Sequence, residues 1–231
     1  IEPGRLPAFV DAARLLNIRG CSITIPHKID IIPLLDKTSE NVREMGACNT
    51  LYRDGKKICG ENTDVIGFTA PLRKRSLSPE TRVLVLGAGG VSRAAIAGLR
   101  RLGLANITLT NRRKERAEAL CNEFGLLCAP WEERGDVPAD LIINTTPLGM
   151  TGAQEHETPY PRAFQDNGIA YDLIYTPFQT RFLRDAAAAG WETVSGLDMF
   201  IGQGDAQFHL WTGHHLPEEA ITAVTSALYG Q

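Results

Sequence analysis

The sequence predicts an α/β protein in two domains, and three observations carry that prediction. An apolar strand, Val83-Leu84-Val85-Leu86, runs into a glycine-rich turn. Strand-like and helix-like segments then alternate as far as Val194. Such alternation builds a parallel, doubly wound sheet, because each parallel strand needs a crossover before the next. After Gly196 the pattern changes to two helices, over residues 198–211 and 218–229, which do not extend the sheet. They are expected to return to a first domain formed by the amino-terminal segments.

Residues 7–16 read as a helix, and residues 21–25 have the β-branched content of a buried strand. A parallel sheet would need another strand before this one, so further residues upstream are expected. Pro26-His27-Lys28 closes the strand, and residues 29–35 read as a short apolar helix interrupted by Pro33. Residues 45–51 form a tight turn into a strand, and Asp54-Gly55 marks a hairpin. Residues 59–64 leave a strand and enter a helix, which puts Asp64 near a helix start. In the second half, helices over 91–102 and 114–124 join strands at 107–110, 126–128, 141–144, 170–173 and 192–194.

The glycine turn, Gly87-Ala88-Gly89-Gly90-Val91-Ser92, specifies a ligand. Gly87 permits a tight turn after a buried strand, and Ala88, Gly89, Gly90 and Val91 bring backbone amides to a pyrophosphate at the positive end of the following helix. Ser92 stands at the third fingerprint glycine. The next strand ends on Asn111-Arg112-Arg113-Lys114-Glu115-Arg116. In a Rossmann-type unit an acidic residue there would bond the ribose 2′-hydroxyl, whereas arginine accommodates a 2′-phosphate. Arg112, Arg113 and Arg116, beside Asn111 and with no carboxylate before Glu115, therefore favour NADP(H) over NAD(H). Strand ends line the ligand crevice of such sheets, so Thr145 and Leu173, in Asn144-Thr145-Thr146-Pro147 and Tyr171-Asp172-Leu173-Ile174-Tyr175, are expected to border the cofactor.

Composition narrows the partners. A net charge of -3 gives no electrostatic case for nucleic acid or membrane, and no apolar run approaches membrane-spanning length. Five cysteines, odd in number and without paired metal spacing, suit reduced thiols in a cytoplasm and give no support for a metal. A small-molecule substrate is the expected partner. A monomer and a homodimer are equally open.

In order, and over nearly the whole chain, these residues resemble the shikimate dehydrogenase family. Ser22-Ile23-Thr24-Ile25-Pro26-His27-Lys28 resembles its strand ending in the catalytic lysine. Gly46-Ala47-Cys48-Asn49-Thr50 resembles its substrate-binding asparagine turn, and Glu61-Asn62-Thr63-Asp64-Val65-Ile66-Gly67 its catalytic aspartate segment. The cofactor half is similar too, down to Ser195-Gly196-Leu197-Asp198-Met199 followed by Gln203.

The resemblance implies reversible NADP-dependent oxidation of shikimate to 3-dehydroshikimate in a cleft between two domains. Residues 1–64 with 197–231 would bind substrate, and residues 65–196 would form a Rossmann-type NADP-binding domain. Lys28 and Asp64 would be the catalytic dyad, Thr24, Asn49, Tyr175 and Gln203 would bind substrate, and Gly196 would lie by the nicotinamide. Elementary chemistry agrees with the dyad. Hydride transfer to a ketone leaves alkoxide character, so a proton donor is needed, and Lys28 can donate while Asp64 holds it. His27 is expected to face away, as adjacent strand residues do.

Two departures from the family pattern stand out: nothing upstream of Pro7 matches the Ser-x-Ser loop that binds the substrate carboxylate, and Asp198 replaces a small residue. The alternatives are a dehydrogenase of quinate or another cyclitol acid, and a non-catalytic NADP-binding regulator on the same fold. Intact Lys28, Asp64 and Asn49 argue against the regulator.

Overall fold

The computed structural model describes every residue except Pro3, Ile25, Gly230 and Gln231. The backbone divides into two units, one of Ile1–Gly67 with Ile201–Gln231 and the other of Phe68–Phe200.

In the first unit, Leu6, Val10 and Ala13 fall at the spacing of one helix face, and α1 (Leu6–Leu15) buries them. Next come β1 (Gly20–Ser22), a 3-10 turn at Ile32–Leu34, β2 (Lys37–Thr38) and α2 (Glu40–Met45). Ser39 caps α2, its hydroxyl accepting from Val42 N at 3.2 Å. A hairpin through Gly55-Lys56 joins β3 (Thr50–Asp54) to β4 (Lys57–Glu61). The strands lie in the order β1-β3-β4-β2, with β3 antiparallel to both neighbours and β2 parallel to β4. Val10, Ile31, Val42, Leu51 and Ile58 form the core of this unit. α3 (Thr63–Leu72) starts directly after β4.

The second unit is built on β5 (Val83–Leu86), β6 (Ile107–Thr110), β7 (Leu127–Cys128), β8 (Leu141–Asn144), β9 (Ile169–Asp172) and β10 (Glu192–Val194). All six are parallel, in the order β10-β9-β8-β5-β6-β7. The pleat of β5 sends Val83 and Val85 into one core and Leu84 and Leu86 into another. α4 (Gly90–Arg101) and α5 (Lys114–Phe124) cover the first face through Ile96, Leu99 and Leu120. α6 (Arg181–Ala188) covers the second through Phe182 and Leu183. Helices on both faces explain why β5 is buried at every residue. Strand order reverses between β5 and β8, so the ligand crevice of this sheet type lies beyond their carboxyl ends.

α7 (Gly196–Thr212) begins in the second unit and belongs to the first from Ile201. There Trp211 Nε1 donates to Leu51 O at 2.9 Å. α8 (Glu218–Tyr229) follows. No described helix is long and apolar enough to cross a membrane.

The doubly wound α/β reading holds, with local corrections. Residues 29–35 do not form a helix: Pro33 offers no amide donor, Leu35 turns extended, and only the 3-10 turn remains. The strand expected over 21–25 ends at Ser22, opposite Thr50, and Ile25 lies outside the described residues. Its sheet is mixed rather than parallel, because β1 pairs antiparallel with a hairpin strand. β2, α2 and α6 are additions to the sequence reading. Two residues of strand and six of helix are too short to show a period.

Candidate active site

In the first unit a hydrogen-bond network brings Lys28, Asp64, Asn49 and Gln203 together. Lys28 Nζ donates to Asp64 Oδ2 at 2.9 Å, and the two side chains keep 29% and 23% of their exposure. Asp64 sits in the first turn of α3, where the helix dipole favours a carboxylate. Its other oxygen, Oδ1, accepts from Asn49 Nδ2 at 2.8 Å, and its amide donates to Asn62 Oδ1 at 3.1 Å. The carboxylate is thereby held at both oxygens, and the main chain beneath it is held by Asn62. Lys28 retains donors for a second partner, because an ammonium carries three.

Buried Asn49 does more positioning than its assigned role suggests. Its Oδ1 accepts from Thr63 N at 2.8 Å and from Thr50 Oγ1 at 2.7 Å, while Nδ2 reaches Thr63 Oγ1 at 3.1 Å as well as Asp64. One side chain thus ties the turn before β3 to the start of α3. The main chain of Lys28 is fixed to the same turn, Cys48 N donating to Lys28 O at 2.7 Å.

Gln203 enters through a residue that the sequence reading did not name. Gln207, one helical turn on and buried, donates from Nε2 to Thr50 Oγ1 at 3.0 Å and to Gln203 Oε1 at 3.4 Å. Its Oε1 accepts from Ser22 Oγ at 2.7 Å. The available signal was the i,i+4 pair of glutamines on one helix face. Thr24 is exposed in the loop after β1, its carbonyl accepting from His27 N at 2.9 Å. His27 and Lys28 both lie in the turn at residues 26–30, so strand alternation does not govern them, a correction to the expected reason. His27 meets the Ile1 carbonyl instead, with Nε2 at 2.7 Å.

The second unit holds the remaining assigned residues. Gly87 has φ +113°, and a Cβ there would come within 2.5 Å of Thr145 Oγ1, so only glycine fits. Ser92 at the third fingerprint position is buried and useful: Gly89 N donates to Ser92 Oγ at 3.0 Å, and Ser92 Oγ lies 2.7 Å from Thr145 Oγ1. Thr145 Oγ1 in turn donates to Leu86 O at 2.8 Å, locking the glycine turn to the end of β8. Cβ atoms at Gly89 and Gly90 would meet nothing within 4 Å, which leaves open space over the amino end of α4. A pyrophosphate fits that cradle.

Two pockets are lined by loops at the carboxyl ends of this sheet. One of 490 Å³ is lined by Val91, Thr145, Thr146, Leu173, Ile174 and Tyr175. Tyr175 stacks on Phe200 with ring centroids 5.2 Å apart. The other, of 160 Å³, is lined by Asn111, Arg112, Arg113, Trp131, Thr146 and Gln154 among others. Arg116 lines neither. Trp131 is absent from the sequence reading. Arg134 fixes its ring from one side, with the guanidinium 3.9 Å from the ring centroid. Gly196 starts α7 against the loop after β9, where a Cβ would come within 2.5 Å of Ile174 backbone. Asp198 is a helix cap: its Oδ2 accepts from Ser195 N and Ser195 Oγ, each at 3.2 Å.

A parallel sheet with a glycine cradle at its switch point, in a chain whose other unit holds a lysine–aspartate pair, defines the class of two-domain, pyridine-nucleotide-type α/β proteins. The chain belongs to the shikimate dehydrogenase family. Family models match as the shikimate dehydrogenase substrate binding domain over residues 1–51, shikimate / quinate 5-dehydrogenase over 72–133, and the shikimate 5′-dehydrogenase C-terminal domain over 196–224. Shikimate dehydrogenase (NADP(+)) of Pelobacter propionicus is 56% identical over 231 residues, covering 99% of this chain and 83% of the relative. The solved shikimate 5-dehydrogenase of Thermus thermophilus, in complex with NADP(H) and shikimate, is 35% identical with a TM-score of 0.84, covering 99% of this chain and 85% of that one. Quinate dehydrogenase of Corynebacterium glutamicum, in complex with NAD, is 30% identical with a TM-score of 0.84, covering 96% and 83%.

Proposed function

We propose that this chain is an NADP-dependent shikimate dehydrogenase, interconverting shikimate and 3-dehydroshikimate in the cytoplasm as a monomer or homodimer. The observation that carries the chemistry is the Lys28 Nζ–Asp64 Oδ2 contact of 2.9 Å, with Asn49 fixing the other carboxylate oxygen. NADPH, when bound, supplies the hydride. Lys28 donates a proton to the ketone oxygen as it gains alkoxide character, and takes that proton back in the oxidative direction. Asp64 holds the ammonium in place and receives or returns the proton, so the two act as one coupled pair.

We assign substrate recognition to Thr24, Asn49, Gln203 and Tyr175, and cofactor binding to Gly87, Ala88, Gly89, Gly90, Val91, Asn111, Arg112, Arg113, Arg116, Thr145, Leu173 and Gly196. The glycine cradle supports the assignment of Gly87, Gly89 and Gly90, and the arginine-lined pocket that of Asn111, Arg112 and Arg113. Arg112→Ala is expected to raise the Kd for NADP+ by about 10–100-fold, the worth of a hydrogen bond to a charged group, and to leave NAD+ nearly unchanged. Calorimetry with both dinucleotides checks this.

The substrate assignment is tested by steady-state rates on shikimate and quinate, each with NADP+ and NAD+. The highest kcat/KM is expected for shikimate with NADP+. A higher value for quinate would move the assignment to the quinate branch, and NADP+ binding without turnover of either acid would favour a regulator.

A further inference from the structure

The end of β9 carries a buried carboxyl that the proton chemistry does not use. Asp172 is fully buried, and three neutral donors converge on it. Asn144 Nδ2 and Ile174 N donate to Oδ1, both at 3.0 Å, and Thr180 Oγ1 donates to Oδ2 at 2.6 Å. Burying a carboxyl without a cation beside it costs stability, so the arrangement calls for a compensating purpose. Each partner belongs to a different piece of structure. Ile174 is in the loop after β9. Thr180 caps α6, accepting from Leu183 N at 3.3 Å.

Asn144 ends β8 and shapes the loop that follows. Its Oδ1 accepts from Thr146 N at 2.9 Å and Thr146 Oγ1 at 2.7 Å, and its Nδ2 also donates to Leu148 O at 3.2 Å. The loops after β8 and β9 together supply Thr145, Thr146, Leu173, Ile174 and Tyr175 to the 490 Å³ pocket.

We propose that Asp172 is a positioning residue for the cofactor, fixing the loop after β9 against the loop after β8 so that their shared pocket is preformed for the nicotinamide end. The proposal rests on the NADP(H) reading above. A carboxyl suits the site because its two oxygens receive all three donors. Asparagine would serve two of them through its oxygen and turn an NH2 group toward Thr180, whose O–H would lose the acceptor it has in Asp172 Oδ2. The 160 Å³ pocket at Arg112 takes Thr146, Pro147 and Leu148 from the loop after β8 but no residue from the loop after β9, whereas the 490 Å³ pocket depends on both. Loss of Asp172 should therefore weaken the two ends of the cofactor unequally.

The experiment is calorimetric titration of wild type, Asp172→Asn and Asp172→Ala with NADP+ and with adenosine 2′,5′-bisphosphate, which lacks the nicotinamide. Asp172→Ala is expected to raise the Kd for NADP+ by about 10–100-fold, with the bisphosphate changed by less than about threefold. Asp172→Asn should fall between alanine and wild type, and it carries the comparison if the alanine variant does not fold. Equal weakening of both ligands, or no weakening of NADP+, would overturn the positioning role. Failure of the wild-type protein to bind NADP+ would instead overturn the cofactor reading and the proposal with it.

Discussion

Lys28→Ala is expected to lower kcat for shikimate oxidation by about 10²–10⁴-fold, the usual worth of a positioned acid or base. The Kd for NADP+ should stay within about twofold, because the assigned cofactor residues all lie in the Phe68–Phe200 unit and Lys28 lies in the other. Lys28→Arg separates charge from proton transfer. Arginine can retain an ion pair with Asp64, but its guanidinium does not give up a proton in proteins. Its kcat should consequently remain near that of the alanine variant, even where binding of the acid substrate recovers. Steady-state rates with both variants, together with NADP+ titration, check the whole pattern. A Lys28→Ala enzyme with wild-type kcat would remove Lys28 from the chemistry and leave the contact with Asp64 a structural ion pair.

The parts of this molecule legible in sequence are those whose cause is local. β5 could be read because four consecutive apolar residues precede glycines, and its burial on both faces follows from the helices alternating with it. Asp64 could be placed at a helix start because Glu61-Asn62-Thr63 supplies the polar turn; Asn62 does accept from the Asp64 amide. Short elements escaped: the two-residue β2 depends on its ladder with β4.

The unread site residues share a different cause, dependence on distant partners. Gln207 matters because Thr50 and Ser22 face it from 157 and 185 residues away in the chain. Ser92 looked like a flaw in the glycine fingerprint until Thr145, 53 residues on, supplied the other half of its hydrogen bond. Asp172 was visible within a strand-end motif, but nothing near it in sequence announces that Asn144, Ile174 and Thr180 converge there.

That convergence makes the stability of the protein depend on pH. Burial pushes the Asp172 carboxyl up to about 7, against the pull of its hydrogen bonds from Thr180, Ile174 and Asn144. In the unfolded chain an aspartate titrates near ~3.9. Between those values the folded protein holds a proton that the unfolded chain has released, so stability falls as pH rises. The contribution is complete below the unfolded value, declines across the window, and is constant above about 7. The span from ~3.9 to about 7 corresponds to about 4 kcal/mol as an upper bound.

Asp36, Glu123 and Asp140 have carboxyls held low by Arg14, Arg93 and Arg82. Their contributions have the opposite sign and are lost only as pH falls below the ordinary carboxylate range, so they leave this window clear. Asp172→Asn removes the titration while keeping most of the shape. Urea unfolding at intervals from pH 5 to 8 should therefore show the variant gaining on wild type as pH rises, by about 2–3 kcal/mol over the part of the window sampled. A wild-type-minus-variant difference that stays flat across that range would mean that Asp172 ionises in the folded protein as it does in the unfolded chain.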